Sequence, residues 1–101
     1  MILEAAVLMV REGEGAAFEA AMVKPAPVIA ASPGYLSHEL QRCVETPGRY
    51  LLLVSWESLE AHTVGFRESA AFAEWRAIVG PFFAAPPVVE HYETALEWPV
   101  L

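Results

Sequence analysis

The sequence is poor in basic residues, in cysteine and in long hydrophobic runs, and each shortage disfavours a class of protein. Six Lys and Arg stand against thirteen acids, all of them Glu, so the 101-residue chain carries a net charge of −7. Without a basic patch, binding to nucleic-acid phosphates or to an anionic membrane surface is disfavoured. The single cysteine, Cys43, excludes an internal disulfide and any cysteine-rich zinc or iron–sulfur site.

The amino terminus and the hydropathy of the chain favour a cytoplasmic protein. The opening Met-Ile-Leu-Glu lacks the basic segment of a signal peptide, and no apolar stretch approaches the roughly 18 residues of a membrane span. The length predicts one domain, residues 1–101. Hydrophobic residues make up 55% of the chain, more than so small a domain can bury. We therefore expect a partner subunit.

Hydrophobic patterning predicts an α+β fold. Strands are predicted over residues 2–10, 35–44, 50–56 and 88–96, and helices over residues 16–23, 59–66 and 70–79, with Ser58 and Ser69 as helix caps. The order βαββαβ predicts a ferredoxin-like antiparallel sheet with its helices on one face. Because the first and third strands are apolar on both faces, the second face also needs a cover. A second copy of the same sheet is the simplest one, giving a two-fold dimer.

Several segments together resemble a known family. They are Ser32-Pro33-Gly34-Tyr35, the apolar strand that ends in Trp-Glu-Ser, the aromatic-rich residues 62–76, and Val-Glu-His-Tyr at residues 89–92. Over nearly its whole length the chain resembles the antibiotic biosynthesis monooxygenase family. The resemblance implies a dimeric α+β barrel of two ferredoxin-like subunits packed sheet to sheet. Members of that family include cofactor-independent oxygenases of quinols and anthrones, enzymes that degrade haem, and proteins without known activity.

The haem-degrading branch of the family carries features that this chain lacks. Ala5 and Ala6 stand near the position of its first-strand Asn, Phe66 stands near the position of its Trp, and Arg76 stands where its His ligand belongs. We therefore expect no haem. The three histidines are separated by 24 and 29 residues, which matches no metal-binding motif. The expectation is a site without a bound cofactor or metal.

The resemblance implies a reaction in which the substrate supplies the electrons. A phenol or quinol is deprotonated, its anion reduces dioxygen, and the resulting peroxide loses water to leave a quinone. Such a site needs a base, donors for the oxyanion and a dry aromatic pocket. His62 is the first candidate for the base, because its ordinary pKa of about 6.5 suits the task and it lies one helical turn from Phe66. The alternative is a surface or capping histidine that orders the loop around Trp56.

Two arginines and a set of mostly aromatic residues complete the predicted site. Arg67 and Arg76 are candidates for stabilising a phenolate or a peroxide, and the alternative is ordinary surface ion pairing with Glu68 and Glu74. The candidate substrate-binding residues are His38, Trp56, Phe66, Phe72, Trp75, His91 and Tyr92. For these residues the alternative is packing within the core, the sheet or the dimer seam. Phe82 and Phe83 form either a pocket flap or an anchor for the last strand.

The sequence therefore predicts a homodimeric, cofactor-independent monooxygenase that oxidises a small phenolic or quinol-type aromatic, with no nucleic-acid or membrane partner. Two other functions stay open. One is a non-catalytic protein that binds a small hydrophobic metabolite, and the other is a cofactorless isomerase or cyclase. Consumption of dioxygen separates the first function from both alternatives.

Overall fold

Four antiparallel strands form one sheet in the computed structural model, which describes residues 1–99. The strands are β1 (Ile2–Met9), β2 (Tyr35–Arg42), β3 (Arg49–Trp56) and β4 (Val88–Tyr92). They lie in the order β2-β3-β1-β4, so the two strands of the 35–56 hairpin lie to one side of β1 and the last strand to the other. This is the ferredoxin-like arrangement, and the predicted α+β fold class is confirmed.

Short helices connect the strands. They are α1 (Gly15–Val23), α2 (Ala26–Ala30), a π-helix (Ala61–Phe66), α3 (Ala70–Val79) and a 3₁₀ turn (Gly80–Phe82). Within residues 1–99, no helix has the length and apolar character needed to cross a membrane. The sequence patterning did not predict α2. It begins immediately after Pro25, whose fixed φ angle is compatible with the start of a helix.

The core lies between the helices and one face of the sheet. Alternate residues of β1 and β3, among them Leu8, Leu52 and Val54, are fully buried there. From α1, Phe18 packs against the same layer and is itself fully buried, 5.0 Å from the ring of Tyr50. Burying each such large side chain contributes about 1.5–3 kcal/mol. This layer holds the sheet and the helices in a fixed relation around the site described below.

The opposite face of the sheet, called the open face here, is also apolar. Leu3, Val7, Leu51 and Leu53 point to it and are half-buried by their neighbours in the sheet, and Val88 is 58% exposed. The alternation of the strands thus places large hydrophobic side chains on both faces, as the sequence predicts. A partner that covers the open face stays a prediction.

Two expectations about the strands are corrected. β4 ends at Tyr92 instead of residue 96, because Tyr92 already pairs with Leu3 and only Ile2 of β1 lies beyond that pair. Strict alternation predicts that Tyr35 and His38 lie on opposite faces of β2. A β-bulge between Tyr35 and Ser37 turns Tyr35 to the helix face instead, on the same side as His38.

The segment after β3 is helical as predicted, but its turns are wider than those of an α-helix. Ser58 caps it, since its Oγ accepts the backbone N–H of Ala61 at 3.2 Å. The N–H of Arg67 donates to the carbonyl of His62 at 2.9 Å, a bond between residues five apart that defines a π-helix. Ser69 then caps α3 by accepting the N–H of Phe72 at 3.3 Å. Both predicted caps are confirmed.

Candidate active site

A cavity of about 470 Å³ opens between the helix face of the sheet and the helices. Its floor consists of small and aliphatic side chains from β1 and β3, namely Ala6, Leu8 and Leu52. The π-helix and α3 supply its walls, and residues 83–87 run along its edge. The volume lies in the range of about 300–1,000 Å³ that small-molecule sites occupy.

One wall of the cavity is aromatic. Phe66 meets Phe72 edge to face, with ring centroids 5.6 Å apart and an angle of 84° between the rings. Phe72 in turn lies nearly parallel to Trp75, at 6.2 Å and 19°. The helix spacing of Phe72 and Trp75, together with the cap at Ser69, puts these rings side by side. The wall offers a flat aromatic molecule two faces against which to stack.

Two arginines stand at the opening of the cavity. Arg67 follows the π-helix and Arg76 lies on α3, and both side chains line the cavity while remaining largely exposed. Among the residues that the structure describes, neither forms an ion pair, so the expected alternative of pairing with Glu68 or Glu74 is not observed. Both guanidinium groups are thus available to a negatively charged group in the cavity.

The cavity wall contains a buried carboxylate. Glu4 of β1 is only 6% exposed and lines the cavity. Its Oε1 accepts the indole N–H of Trp56 at 3.0 Å, and His62 Nε2 lies 3.3 Å from the same oxygen. The register of the sheet sets this arrangement, since Glu4 pairs with Val54, two residues before Trp56, on β3 and with His91 on β4.

His62 links the carboxylate to a second histidine. It is 2% exposed and stacks on Trp56, with ring centroids 5.4 Å apart at 21°. Its Nδ1 lies 2.7 Å from Nε2 of His91, so one of these nitrogens donates a proton to the other. A zinc ion needs about 2.0–2.1 Å to each ligating nitrogen, so the two rings as they stand leave no room for one between them.

Burial changes the acid–base strength of this cluster. Burial raises the pKa of the Glu4 carboxyl above its usual range, opposed by the hydrogen bond from Trp56 and by the charge of Arg67. The pKa of His62 falls to about 4, mainly through burial and further through Arg67 and His91. Burial, with Arg67, also lowers the pKa of His91. At neutral pH, His62 is therefore an uncharged imidazole.

The structure brings six of the ten predicted site residues to the cavity: His62, Phe66, Arg67, Phe72, Trp75 and Arg76. Trp56 and His91 lie behind the cavity wall, where they contact Glu4 and His62. The roles assigned to all of these side chains stay predictions.

The other two predicted residues lie away from the cavity. His38 is on β2, where its Nδ1 is 2.6 Å from the hydroxyl of Tyr35. Tyr92 is 52% exposed on the open face, and its hydroxyl lies 3.5 Å from a carboxylate oxygen of Glu90. The three histidines therefore do not converge on one point.

Glu4 is the site residue that sequence reasoning missed. Its signal was present, because Glu4 is the one charged residue within an otherwise apolar strand and is in phase with the buried Ala6 and Leu8. A glutamate on a covered face is rarely fully buried unless it is paired.

Phe82 and Phe83 prove to be anchored. Phe83 pairs with Val10 in an isolated β-bridge and also lines the cavity. Phe82 packs edge to face on Phe18, with ring centroids 5.9 Å apart. Phe83 therefore both fixes the segment before β4 and contributes to the pocket surface.

Comparison with known proteins identifies the family. The model of the family "Antibiotic biosynthesis monooxygenase" matches residues 1–78. The uncharacterized protein YczJ of Bacillus subtilis is 45% identical over 93 residues, which cover 92% of this chain and 98% of YczJ. The chain belongs to the antibiotic biosynthesis monooxygenase family.

Solved structures agree with this assignment. A protein from Bordetella bronchiseptica that is grouped with the antibiotic biosynthesis monooxygenases superposes with a TM-score of 0.91, at 42% identity, covering 94% of this chain and 97% of that one. A mutant of SnoaB, a cofactor-independent oxygenase from Streptomyces nogalater, gives a TM-score of 0.81 at 16% identity and covers 98% of this chain and 97% of that one. The likeness to SnoaB shows a shared fold.

Proposed function

We propose that this chain is a cofactor-independent monooxygenase that oxidises a phenolic or quinol-type aromatic with dioxygen. The observation that carries the proposal is the composition of the cavity, which combines a flat aromatic wall, two arginines without an ion pair in residues 1–99 and a buried Glu4–His62 pair. Membership of the family and the fold shared with SnoaB support the same reaction class.

Binding orients the substrate for loss of a proton. The aromatic ring lies against Phe72 and Trp75, and its hydroxyl group faces the Glu4–His62 pair. Proton transfer to that pair leaves a phenolate, and Arg67 and Arg76 at the opening stabilise its negative charge. The apolar floor and aromatic wall keep water away from the anion, so these charge interactions are stronger than in bulk solvent.

The electrons for the oxidation come from the substrate. The anion passes one electron to dioxygen, and the resulting radical and superoxide combine to form a carbon–oxygen bond. The peroxide then breaks its O–O bond. One oxygen atom stays on carbon as a carbonyl, and the other leaves as water with two hydrogens from the substrate. For an anthrone methylene this is a four-electron oxidation that balances one dioxygen, so no external reductant enters.

Oxygen uptake tests the proposal. Purified protein, freed of metals with a chelator, is given an anthrone or a quinol without added flavin in an oxygen-electrode cell. We expect uptake of one dioxygen for each quinone formed, at a rate proportional to protein. A second test is Phe72→Ala, which removes a ring of the aromatic wall and should therefore raise KM. A ligand-induced rise in melting temperature without oxygen uptake would instead favour the binding protein, and turnover without oxygen would favour the isomerase.

The proposal includes a homodimer. Its support is the open face, where Leu3, Val7, Leu51 and Leu53 form an apolar surface on a chain whose composition is 55% hydrophobic. Packing two such faces across a two-fold axis would bury them both. A small aromatic molecule is the other proposed partner. The net charge of −7 argues against nucleic acid and anionic membranes as further partners.

A further inference from the structure

We infer that Glu4, and not His62, is the group that takes the proton from the substrate, while His62 and His91 hold its carboxylate in place. The inference rests on the proposed oxidation and names the catalytic base of that reaction. In this arrangement His62 and His91 are positioning residues.

The two oxygens of Glu4 have different surroundings. Oε1 accepts the N–H of Trp56 at 3.0 Å and lies 3.3 Å from His62 Nε2. Oε2 has no hydrogen-bond partner among residues 1–99. In the same part of the chain, every fully buried polar side-chain atom has a partner. Oε2 is therefore not fully buried, and since Glu4 lines the cavity, this oxygen is open to it.

The ring of His62 has a hydrogen-bond partner at Nδ1 and a close carboxylate neighbour at Nε2. Nδ1 is 2.7 Å from His91 Nε2, and Nε2 faces Glu4 Oε1. When Glu4 is ionised, one arrangement suits both contacts: His91 Nε2–H donates to His62 Nδ1, and His62 carries its own proton on Nε2, which lies 3.3 Å from Glu4 Oε1. In that tautomer His62 has no lone pair left for the proton of a substrate.

The charged and polar groups around Glu4 suit this role. Trp56 faces it from β3, His62 from the π-helix, Arg67 from the chain that follows, and His91 from β4 behind His62. Burial raises the pKa of the Glu4 carboxyl, which makes it a stronger base than an exposed glutamate. Burial lowers the pKa of His62 to about 4, which weakens it as a base.

One proton moves out to Glu4 and back within each turnover. The substrate O–H bond breaks, its proton passes to Oε2, and its electron pair stays on the phenolate oxygen. After dioxygen adds, the protonated carboxyl returns this proton to the peroxide anion. Glu4 is again a carboxylate when water leaves. The relay exchanges no net proton with the solvent.

The test compares Glu4→Gln with His62→Gln in two measurements. The first is the pH profile of oxygen uptake. We expect Glu4→Gln to lower kcat by about 10²–10⁴-fold and to abolish the fall in rate on the acid side. His62→Gln should lower kcat less. It should shift the pH at which the rate falls on the acid side (the acid limb of the profile) without removing that fall. Glu4→Asp keeps a carboxylate and therefore keeps the limb.

The second measurement omits oxygen. A coloured phenol, such as a hydroxyanthraquinone, is bound under anaerobic conditions, and the absorbance of its phenolate reports proton transfer. Wild-type protein and His62→Gln should bind it ionised, whereas Glu4→Gln should bind it as the neutral phenol. The matched control is Glu12→Gln, an exposed loop glutamate that does not line this cavity, which should behave as wild type in both measurements.

The outcomes separate the base assignment from the proposed reaction. Wild-type oxygen uptake that survives in Glu4→Gln but disappears in His62→Gln would overturn the assignment and leave the oxidation standing. Ionisation of the bound phenol that needs Glu4, without any oxygen uptake, would support the assignment and overturn the oxidation. Failure of the wild type to bind or oxidise any phenol would overturn both. Melting temperatures of the variants show whether each is folded.

Discussion

At the scale of single residues, the site depends on a carboxylate held inside an apolar layer. Glu4 is 6% exposed, and its burial is compensated by the indole N–H of Trp56, by the nearby edge of His62 and by the charge of Arg67. A buried charge without such partners costs several kcal/mol. Each partner should therefore contribute measurably to stability as well as to chemistry.

Trp56→Phe tests the first of these partners. The change keeps a ring against His62 but removes the donor to Glu4 Oε1. A hydrogen bond to a charged group contributes about 1.5–3 kcal/mol, so the free energy of unfolding from urea denaturation at pH 7 should fall by at least that amount. The matched control is Trp98→Phe, at a site 73% exposed, where a change within about 0.5 kcal/mol is expected. Equal effects of the two substitutions would contradict the account of Glu4.

The low pKa of His62 predicts a loss of stability in acid. Its pKa is 6.5 in an exposed chain and about 4 in the folded protein, so the unfolded state binds the proton more readily. Stability that is present above pH 6.5 is therefore lost as the pH falls towards 4, by about 1–3 kcal/mol. Glu4 acts in the opposite sense, because its raised pKa favours folding once it is protonated.

Urea unfolding at a series of pH values measures this effect. His62→Phe keeps an aromatic ring but cannot titrate, so its loss of stability between pH 6.5 and 4 should be smaller than that of the wild type. A residual loss is expected, since burial also lowers the pKa of His38 and His91. An identical pH dependence in the variant would show that His62 is not held in an uncharged form.

At the scale of elements, the position of the π-helix decides where His62 sits. The turn between α2 and β2 approaches it closely at Gly34, which has a φ angle of +86°. A Cβ atom at Gly34 would lie 2.5 Å from the Cβ of Ala61, the first residue of the π-helix. Glycine is therefore required here for two reasons: it adopts the positive φ angle without strain, and it has no Cβ to clash with Ala61.

Gly34→Ala should consequently destabilise the fold and displace the π-helix. Gly13→Ala is its matched control, because Gly13 has a similar φ angle of +79° but nothing within 4 Å of the added atom. Both variants share the backbone strain of about 1–3 kcal/mol, and only Gly34→Ala adds the clash. We expect a larger loss of unfolding free energy in Gly34→Ala and a change in the His62 resonances in NMR spectra. The same loss in both variants would mean that Ala61 simply moves aside.

The helices and strands show which features of the fold local sequence patterns can predict. Apolar runs and, over residues 35–44, an alternating pattern predict all four strands, and Ser58 and Ser69 predict the two helix starts, because these signals come from neighbouring residues. The wide turns of the π-helix and the early end of β4 depend on packing and on strand pairing, which no local window contains. Helix α2 is only five residues long and follows Pro25, and so it leaves little periodic signal.

The site residues also fall into two groups, those that local sequence indicates and those that only the folded sheet brings together. Phe66, Arg67, Phe72, Trp75 and Arg76 come from one continuous stretch of chain, so they could be proposed together as candidates. Helical spacing puts Phe72 and Trp75 on one face, but it left open whether the aromatic residues line a pocket or pack in the core and whether the arginines form surface ion pairs. Glu4, Trp56 and His91 come together only through the register of three strands. Residues so distant in the sequence could not be assembled from spacing. Their presence changes the interpretation of His62 from an isolated base to one member of a buried cluster.

At the scale of the whole molecule, the open face predicts self-association. Leu53→Glu places a charge among the apolar residues of that face and should produce a monomer, whereas the wild type should sediment as a dimer at micromolar concentration. Val23→Glu introduces the same charge at a side chain 71% exposed on α1, away from the sheet, and should leave the dimer intact. Sedimentation velocity distinguishes the species. A monomeric wild type would contradict the proposed homodimer.

Isotope labelling of oxygen tests the proposed function most directly. The protein, free of added flavin and metal, is supplied with an anthrone or quinol under ¹⁸O₂, and the quinone and the water are analysed by mass spectrometry. We expect one labelled oxygen atom to enter the quinone and the other to enter water, at a rate proportional to the concentration of wild-type protein. A quinone whose new oxygen comes from the solvent, or no quinone at all, would contradict the proposed function.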